Sequence, residues 1–492
     1  RVQWQRGSFE LQGSWNHHDY KAGIFYGLRH PSPAELEAQL ERDVPVSADE
    51  WKVETAIDRP YQNVHHDTGA LQLRWDESWG ELEIKYAFQR NYRREYETIR
   101  GDYDGAQYNF TLRTHSLDTL WLHPGLQLGL VEAEGGLGAQ GSFKENVYSG
   151  YSLIPNYRSF DGGLFAFERL IFPHGDLQLG LRIDGLMRDS YLQERDYEKH
   201  LRRDSLALEG CTYSDSVARC RQQYPLFSAS GGGLLHIIPD MLDLKGELSL
   251  AGRFPNVDEL YLIGAAPTMP VFAESDPQLE PEQSFGGSLT SALQLSWMST
   301  EISGYWNRID DYIYFAPDLN ADGEPVIDVI ITGAYPRYRT RAIDAEFRGL
   351  DGRLLFGEDA LFGVDISGSI VRASDRSSGD ELVGTPPDTL RVTLQSVPPE
   401  FAAFSDSKVA LTVRGIGKQS RVDPSQDIAP APDGAWLLDA ELSTSIQLKS
   451  PLQVSLRATN LLNQRYREYT SLMRYSADQL GRDIRLSLGA HF

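Results

Sequence analysis

No stretch of this sequence approaches the roughly 20 consecutive apolar residues that a membrane-crossing helix needs, which removes helical membrane proteins from consideration. Cysteine is almost missing: Cys211 and Cys220 are the only two in 492 residues. Cysteine-rich metal modules and disulfide scaffolds are therefore out. Basic charge is scarce, with 47 Lys and Arg against 70 Asp and Glu, a formal net charge of −23. No basic stripe exists to neutralise phosphates, so nucleic acid is excluded as a partner. Nucleophile elbow, zincin helix motif and Walker loop are all missing, and the chain reads as no enzyme. Gly231-Gly-Gly233 sits in a strand-like stretch with no helix N-terminus after it, so it is no phosphate cradle. No Ser/Gly tract or Pro-rich spacer divides the chain, and residues 1–492 read as one domain.

What is present is a period of two. Leu452, Val454, Leu456 and Ala458 alternate with Gln453, Ser455 and Arg457. Ile484, Leu486, Leu488, Ala490 and Phe492 alternate with Arg485, Ser487, Gly489 and His491. Leu177, Leu179, Leu181 and Ile183 oppose Gln178, Arg182 and Asp184; Leu82, Ile84, Tyr86 and Phe88 oppose Glu83 and Lys85. Successive strand side chains point to opposite faces, so each segment has one apolar face and one polar face. Such a strand packs equally well in a soluble sandwich or against lipid. The mean hydropathy of −0.40 does not decide, because in a membrane barrel only every second residue meets lipid. The 24 Tyr and 9 Trp suit a water–lipid boundary, and also a Tyr-rich soluble β protein.

The connections decide. Short turns, such as Asp76–Gly80, Pro173–Asp176, Pro239–Met241, Trp297–Thr300 and Lys449–Pro451, alternate with long segments. The long ones include Gly27–Asn63, Lys144–Arg158, Tyr191–Tyr224, Pro255–Ser284, Gln419–Ala435 and Arg465–Gly481. Bacterial outer-membrane barrels have short periplasmic turns and longer external loops. The expected fold is all-β: an antiparallel transmembrane β-barrel with roughly 18 strands visible, in a bacterial outer membrane. The first strand is expected over about Ser8–Asp19, and a short helix over Pro33–Arg42 with Ser32 as its cap. The chain opens at Arg1 without a signal segment, so its N-terminus reads as processed or truncated.

Three patches resemble the TonB-dependent outer-membrane receptors. Arg253-Phe-Pro-Asn-Val-Asp-Glu-Leu-Tyr261 is similar to the family's mid-barrel arginine-phenylalanine-proline-asparagine box. Asp276-Pro-Gln-Leu-Glu-Pro-Glu-Gln-Ser284 is similar to the box that opens the next strand, and Asn460-Leu-Leu-Asn-Gln-Arg-Tyr466 to the one before the final loop. Phe492 matches the family's C-terminal aromatic. The resemblance implies a receptor that captures a scarce nutrient, such as a ferric siderophore or other metal complex, at its external loops. Import would be driven by the TonB–ExbB–ExbD complex through a plug. No plug-like segment is in this sequence, and the family's barrel has 22 strands, so the resemblance is to a receptor without its plug and first strands. Haem receptors of the family carry a histidine between the two mid-barrel boxes; Asn256–Ser275 contains none. A surface lipoprotein is a further partner the family allows, beside the outer-membrane lipid itself.

On this reading Tyr61, Arg253, Phe254, Asn256, Tyr261 and Tyr335 are the expected ligand contacts. His17-His18 and His65-His66 flank the first long segment and are candidate metal ligands across neighbouring strands, against a plain polar-rim role. Asp318, Asn320 and Asp322, with Gly323, copy the first half of a calcium loop; the bidentate Glu expected further on is replaced by Val329. Cys211 and Cys220 are spaced for a small disulfide-closed loop, or are two free thiols. No cofactor is expected beyond that Ca²⁺. Two rivals remain: a passive porin-like channel, and an adhesin or structural barrel whose loops bind a partner protein.

Overall fold

The structure, a computed structural model, describes residues 1–25, 30–42, 44–45, 55–98, 105–198, 210–265, 269–330, 333–357, 361–448 and 450–490. Phe492, the ends Gly27 and Lys449 of two expected connections, and part of the Tyr191–Tyr224 segment lie outside them. Among the described residues there are 24 strands, of which five are short arms inside connections and the other 19 form one continuous antiparallel wall. They are β1 (Val2–Arg6), β2 (Phe9–Gly23), β3 (Tyr61–Glu77), β4 (Gly80–Tyr96), β5 (Tyr108–Leu122), β6 (Val131–Gly150) and β7 (Asn156–Phe172). Next come β8 (Gly175–Gln193), β9 (Val217–Ile238), β10 (Leu242–Arg253), β11 (Glu282–Gln294), β12 (Met298–Pro317) and β13 (Gly333–Phe356). The last are β14 (Phe362–Asp375), β15 (Thr389–Ser396), β16 (Phe404–Ile416), β17 (Ala435–Ile446), β18 (Leu452–Thr459) and β19 (Asp483–Ala490). Each wall strand pairs with its neighbours in sequence; among the described residues β1 pairs only with β2, and β19 only with β18.

Register fixes which face each residue takes. On β8, Leu177, Leu179, Leu181, Ile183 and Met187 share a face with Leu164 and Leu170 of β7 and with Phe227 and Leu235 of β9. That face is open: Leu181 is 58% exposed, Leu248 61% and Leu488 64%. A soluble sandwich would bury these side chains. Here they form the outside of a curved wall, the arrangement lipid requires. The opposite face is polar. Arg182 grips Asp184 through two bonds (2.7 and 2.6 Å) and donates to Gln140, and Arg457 meets Glu441 at 3.4 Å. These inward charges thus stand paired on the lumen face, away from hydrocarbon.

Tryptophan marks both borders of the apolar band. Trp4, Trp75, Trp79, Trp121 and Trp297 lie near the short-turn end, with Trp75 edge-on to Trp79 at 5.3 Å. Trp15 and Trp306 take the last outward apolar positions of β2 and β12, before His17 and Arg308, and Trp436 lies at the long-connection end of β17. Indole, apolar with one polar N–H, favours these levels.

Three expectations need correction. The first full strand runs Phe9–Gly23, beyond Asp19, and is preceded by β1 across a tight turn at Gly7, whose φ of +60° suits glycine. The expected long loop Lys144–Arg158 is mostly strand; only residues 151–155 connect β6 to β7. Strand also persists from Val217 past Tyr224. At 20–23, 144–158 and 217–224 the wall stands above the apolar band, both faces carry polar groups, and the alternation that betrays a strand disappears. The helix expected at Pro33 is found as α1 (Pro33–Leu40), where Ser32 Oγ accepts from Glu35 N at 3.3 Å.

Candidate functional site

The long connections fold over the mouth and bond to one another. β10 ends on Arg253, which faces inward and binds Glu282 (Nε–Oε2 2.8 Å, Nη2–Oε1 2.8 Å) and Glu259 (3.0 and 2.9 Å). Glu259 also accepts from Asn256 N at 2.7 Å, which fixes the start of a short helix, α2 (Val257–Tyr261). Val257, Leu260 and Tyr261 are buried against Leu192, Ala218 and Cys220, the inward residues at the tops of β8 and β9. Arg188, also inward and buried, donates to Pro255 O at 2.8 Å. Gln222 donates to the Tyr261 hydroxyl at 2.6 Å, and Phe254 stacks on Tyr224. Burial raises the Asp258 and Tyr261 pKa values above their ordinary ranges. The connection continues across the mouth: Ala265 O accepts from Tyr108 at 3.1 Å, and Phe272–Glu274 adds a parallel strand to Arg337–Arg339 of β13.

A second knot lies on β13. Asp427 accepts from Arg474 at 2.7 Å, from Tyr475 at 2.9 Å and from Tyr469 at 2.9 Å, all buried. The Arg474 guanidinium lies over the rings of Tyr469 (4.4 Å) and Tyr475 (4.5 Å), a cation–π clamp. Tyr338 and Tyr475 join hydroxyls, and Val271 and Ile428 complete the cluster with Leu40 from α1 packed on it. His30 bridges to Ala334 through the backbone, and its ring lies 3.2 Å from Ser476 Oγ. The connection after β2 therefore reaches across to β13 and to the connection before β19.

Beside this knot is a cavity of about 480 Å³ whose charged lining is Arg42, Lys418, Arg465, Arg467 and Arg474 against Glu41, Asp433 and Asp478. Lys418 binds Asp433 (2.8 Å), and Arg467 binds Asp478 (2.9 Å) and Arg474 O (3.0 Å). Cations predominate there, in a chain whose formal charge is −23. Such a lining suits an anionic or polyoxygenated ligand. A smaller cavity, about 250 Å³, lies between Tyr314, Arg341, Asp375 and Gln426.

The expected contacts divide. Arg253, Phe254, Asn256 and Tyr261 meet in one place, where their bonds and packing set the course of the connection over the mouth. Tyr335 is buried in the hairpin that β13 forms with Ile327–Ile330. Tyr61 sits on the outer face, stacked on Tyr96 at 4.4 Å with Lys21 over its ring. The histidines do not converge: His17 and His65 face outward and bind Asp67 (2.7 Å) and Asp19 (3.3 Å), while His18 and His66 pair in register on the inner face. No group of three or more His, Cys, Asp or Glu stands in metal-binding reach among the described residues. Asn320 Oδ1 accepts from Asp322 N and Glu324 N, and Asp318 faces Arg337 and Arg339, so this turn is closed by its own backbone and by arginines. Cys211 and Cys220 are register partners joined by a disulfide. Sequence reasoning missed Asp427, Arg474, Tyr475, Arg42 and Lys418, which belong to no motif; only the Tyr and Arg density of 465–475 hinted at them.

An apolar-out, polar-in wall with short turns at one end and interlocked long connections at the other defines an outer-membrane receptor barrel. Residues 3–461 match the family model described as TonB dependent receptor-like, beta-barrel, and the chain belongs to that family. No curated relative matches the sequence. Similar solved structures include the ferric-catecholate import receptor Fiu from K12 E. coli in its closed form (13% identity, TM-score 0.67, 99% of this chain and 72% of that one). The ferric citrate transporter FecA in its unliganded form is similar at 11% identity and TM-score 0.65, over 97% of this chain and 67% of that one. The copper transporter OprC is similar at 13% identity and TM-score 0.62, over 88% and 70%. Members of the family are outer-membrane transporters, not enzymes, and their ligand transport depends on TonB.

Proposed function

We propose that this receptor captures an anionic metal complex, a ferric siderophore or related chelate, in the cation-lined recess at its external mouth. Import then depends on the TonB–ExbB–ExbD complex and the inner-membrane proton gradient. The recess around Lys418, Arg465 and Arg467 carries this reading: cations collected in an otherwise strongly acidic chain attract and orient oxygen-rich anions. The interlocked connections over the mouth favour a receptor above an open porin-like channel. Similar structures are receptors or transporters of ferric catecholate, ferric citrate and copper, which supports a metal or metal-complex cargo.

The test is a binding titration by Trp fluorescence with ferric catecholate, ferric citrate and a neutral ferric hydroxamate, using folded protein in detergent. An anionic chelate should bind, and Lys418→Gln with Arg465→Gln should weaken it at least tenfold. Equal binding of neutral and anionic chelates, or no binding of any, would refute the proposal.

A further inference from the structure

On β4 the outward positions read Leu82, Ile84, Tyr86 and Phe88, then Arg90; on β5 they read Trp121, Thr119, Leu117 and His115, then Arg113. Arg90 and Arg113 are direct register partners, so two like charges face each other where the apolar run of each strand stops. Opposed like charges destabilise a strand pair. Both side chains are about half exposed, at 52% and 50%. Their carboxylates stand on the far sides: Asp67 takes Arg90 at 2.6 and 3.1 Å, and Glu145 takes Arg113 at 3.3 Å.

The row continues along the outer face. Glu145 is shared with Arg158 (2.9 Å), its register partner on β7. Arg158 is opposite Asp189 on β8, and Asp189 is held by Arg219 (2.7 Å) and Arg221 (2.8 and 3.1 Å) of β9. Arginines thus outnumber carboxylates along a row that lies on the outside of the wall, away from the lumen and from the recess. Below it Phe88, Phe143 and Phe160 end the apolar band. This is the level at which the headgroups of the surrounding leaflet begin.

We propose that this outward arginine row, centred on Arg90 and Arg113, binds the phosphate groups of lipid headgroups in the leaflet around the barrel. A phosphate between the two guanidiniums accepts paired N–H bonds from both and removes their repulsion. Its acyl chains lie down the apolar band beneath. The partner is a phosphorylated membrane lipid and has no part in transport.

The experiment counts lipids retained by the full, folded chain in native mass spectrometry. The probes are a bisphosphorylated outer-leaflet glycolipid and the same lipid with its phosphates removed. The wild type should retain the phosphorylated lipid at least tenfold better, and excess inorganic phosphate should not displace it. Arg90→Gln with Arg113→Gln should lose most of that preference, while the inward Lys85→Gln should keep it. Equal retention of both lipids by the wild type overturns the proposal without recourse to any variant. So does full retention by a double variant that still shows the heat-dependent gel mobility of a folded barrel, or displacement by phosphate alone.

Discussion

Tyr338 on β13 and Tyr475 before β19 stand 137 positions apart in the chain, yet their hydroxyls share a 2.6 Å hydrogen bond. Asp427 and Arg474 both bond to the Tyr475 hydroxyl, and both are almost wholly buried. Removing one partner of a buried ion pair leaves the other charge stranded, at a cost of about 3–5 kcal/mol. Asp427→Asn should therefore undock the connections 417–434 and 460–482 while leaving the wall intact. Limited proteolysis with fragment mass spectrometry reads this: new cleavage within those two segments is expected, and an unchanged pattern contradicts it.

Acid should loosen the same end of the molecule. Burial lowers the His30 pKa below the ordinary imidazole value of about 6.5, with Glu35 opposing the shift. The docked state thus binds fewer protons than the undocked state, and docking is fully favoured above about pH 6.5. It weakens as pH falls below that value, through the lowered docked pKa. Hydrogen exchange at 30–42 should accelerate between neutral and mildly acidic pH, and His30→Gln should flatten that dependence.

The assignment of faces can be checked directly. Arginine on a lipid-facing site near the bilayer midplane costs about 2–4 kcal/mol, and far less on a lumen-facing site. Leu181→Arg should lower the unfolding free energy of the refolded barrel by about that amount. Ser116→Arg, on the inner face opposite Ala87, should change it little. Equal losses would mean that the faces are reversed or that neither meets lipid.

The Cys211–Cys220 bridge ties the short arm Cys211–Ser214 to the top of wall strand β9. By chain entropy such a crosslink contributes about 2–3 kcal/mol to local order. Reduction, or Cys211→Ser, should expose 210–220 to protease while the midpoint of barrel unfolding stays put. A fall in that midpoint would place the bridge within the cooperative unit of the wall.

The wall was legible because lipid enforces one rule on every strand. Leu177–Ile183 and Leu452–Ala458 alternate cleanly where the outer neighbour is hydrocarbon and the inner one is polar. The rule lapses above the membrane, which is why 144–158 read as loop and Val217–Tyr224 was missed. The mouth was legible only in fragments. Arg253-Phe-Pro-Asn located a special segment, yet not that its arginine is clamped by Glu259 and Glu282, nor that Asn256 starts a helix. The knot of Asp427, Arg474 and the tyrosines depends on segments brought together by the curvature of the whole wall, and no local pattern encodes that.

Among the described residues the wall strands pair with one another only as sequence neighbours, and this favours an order of assembly. Each new hairpin finds its template in the bare edge left by the one before, so the cylinder grows stepwise with short loop closures. The contacts that span the mouth are of another kind, since they require distant staves to be in place first. A chain caught midway should therefore have protected amides along its finished staves and tyrosines at the rim that are still wet. The lid closes last, and whatever threatens nascent receptors in the periplasm meets a growing edge long before it meets a binding site.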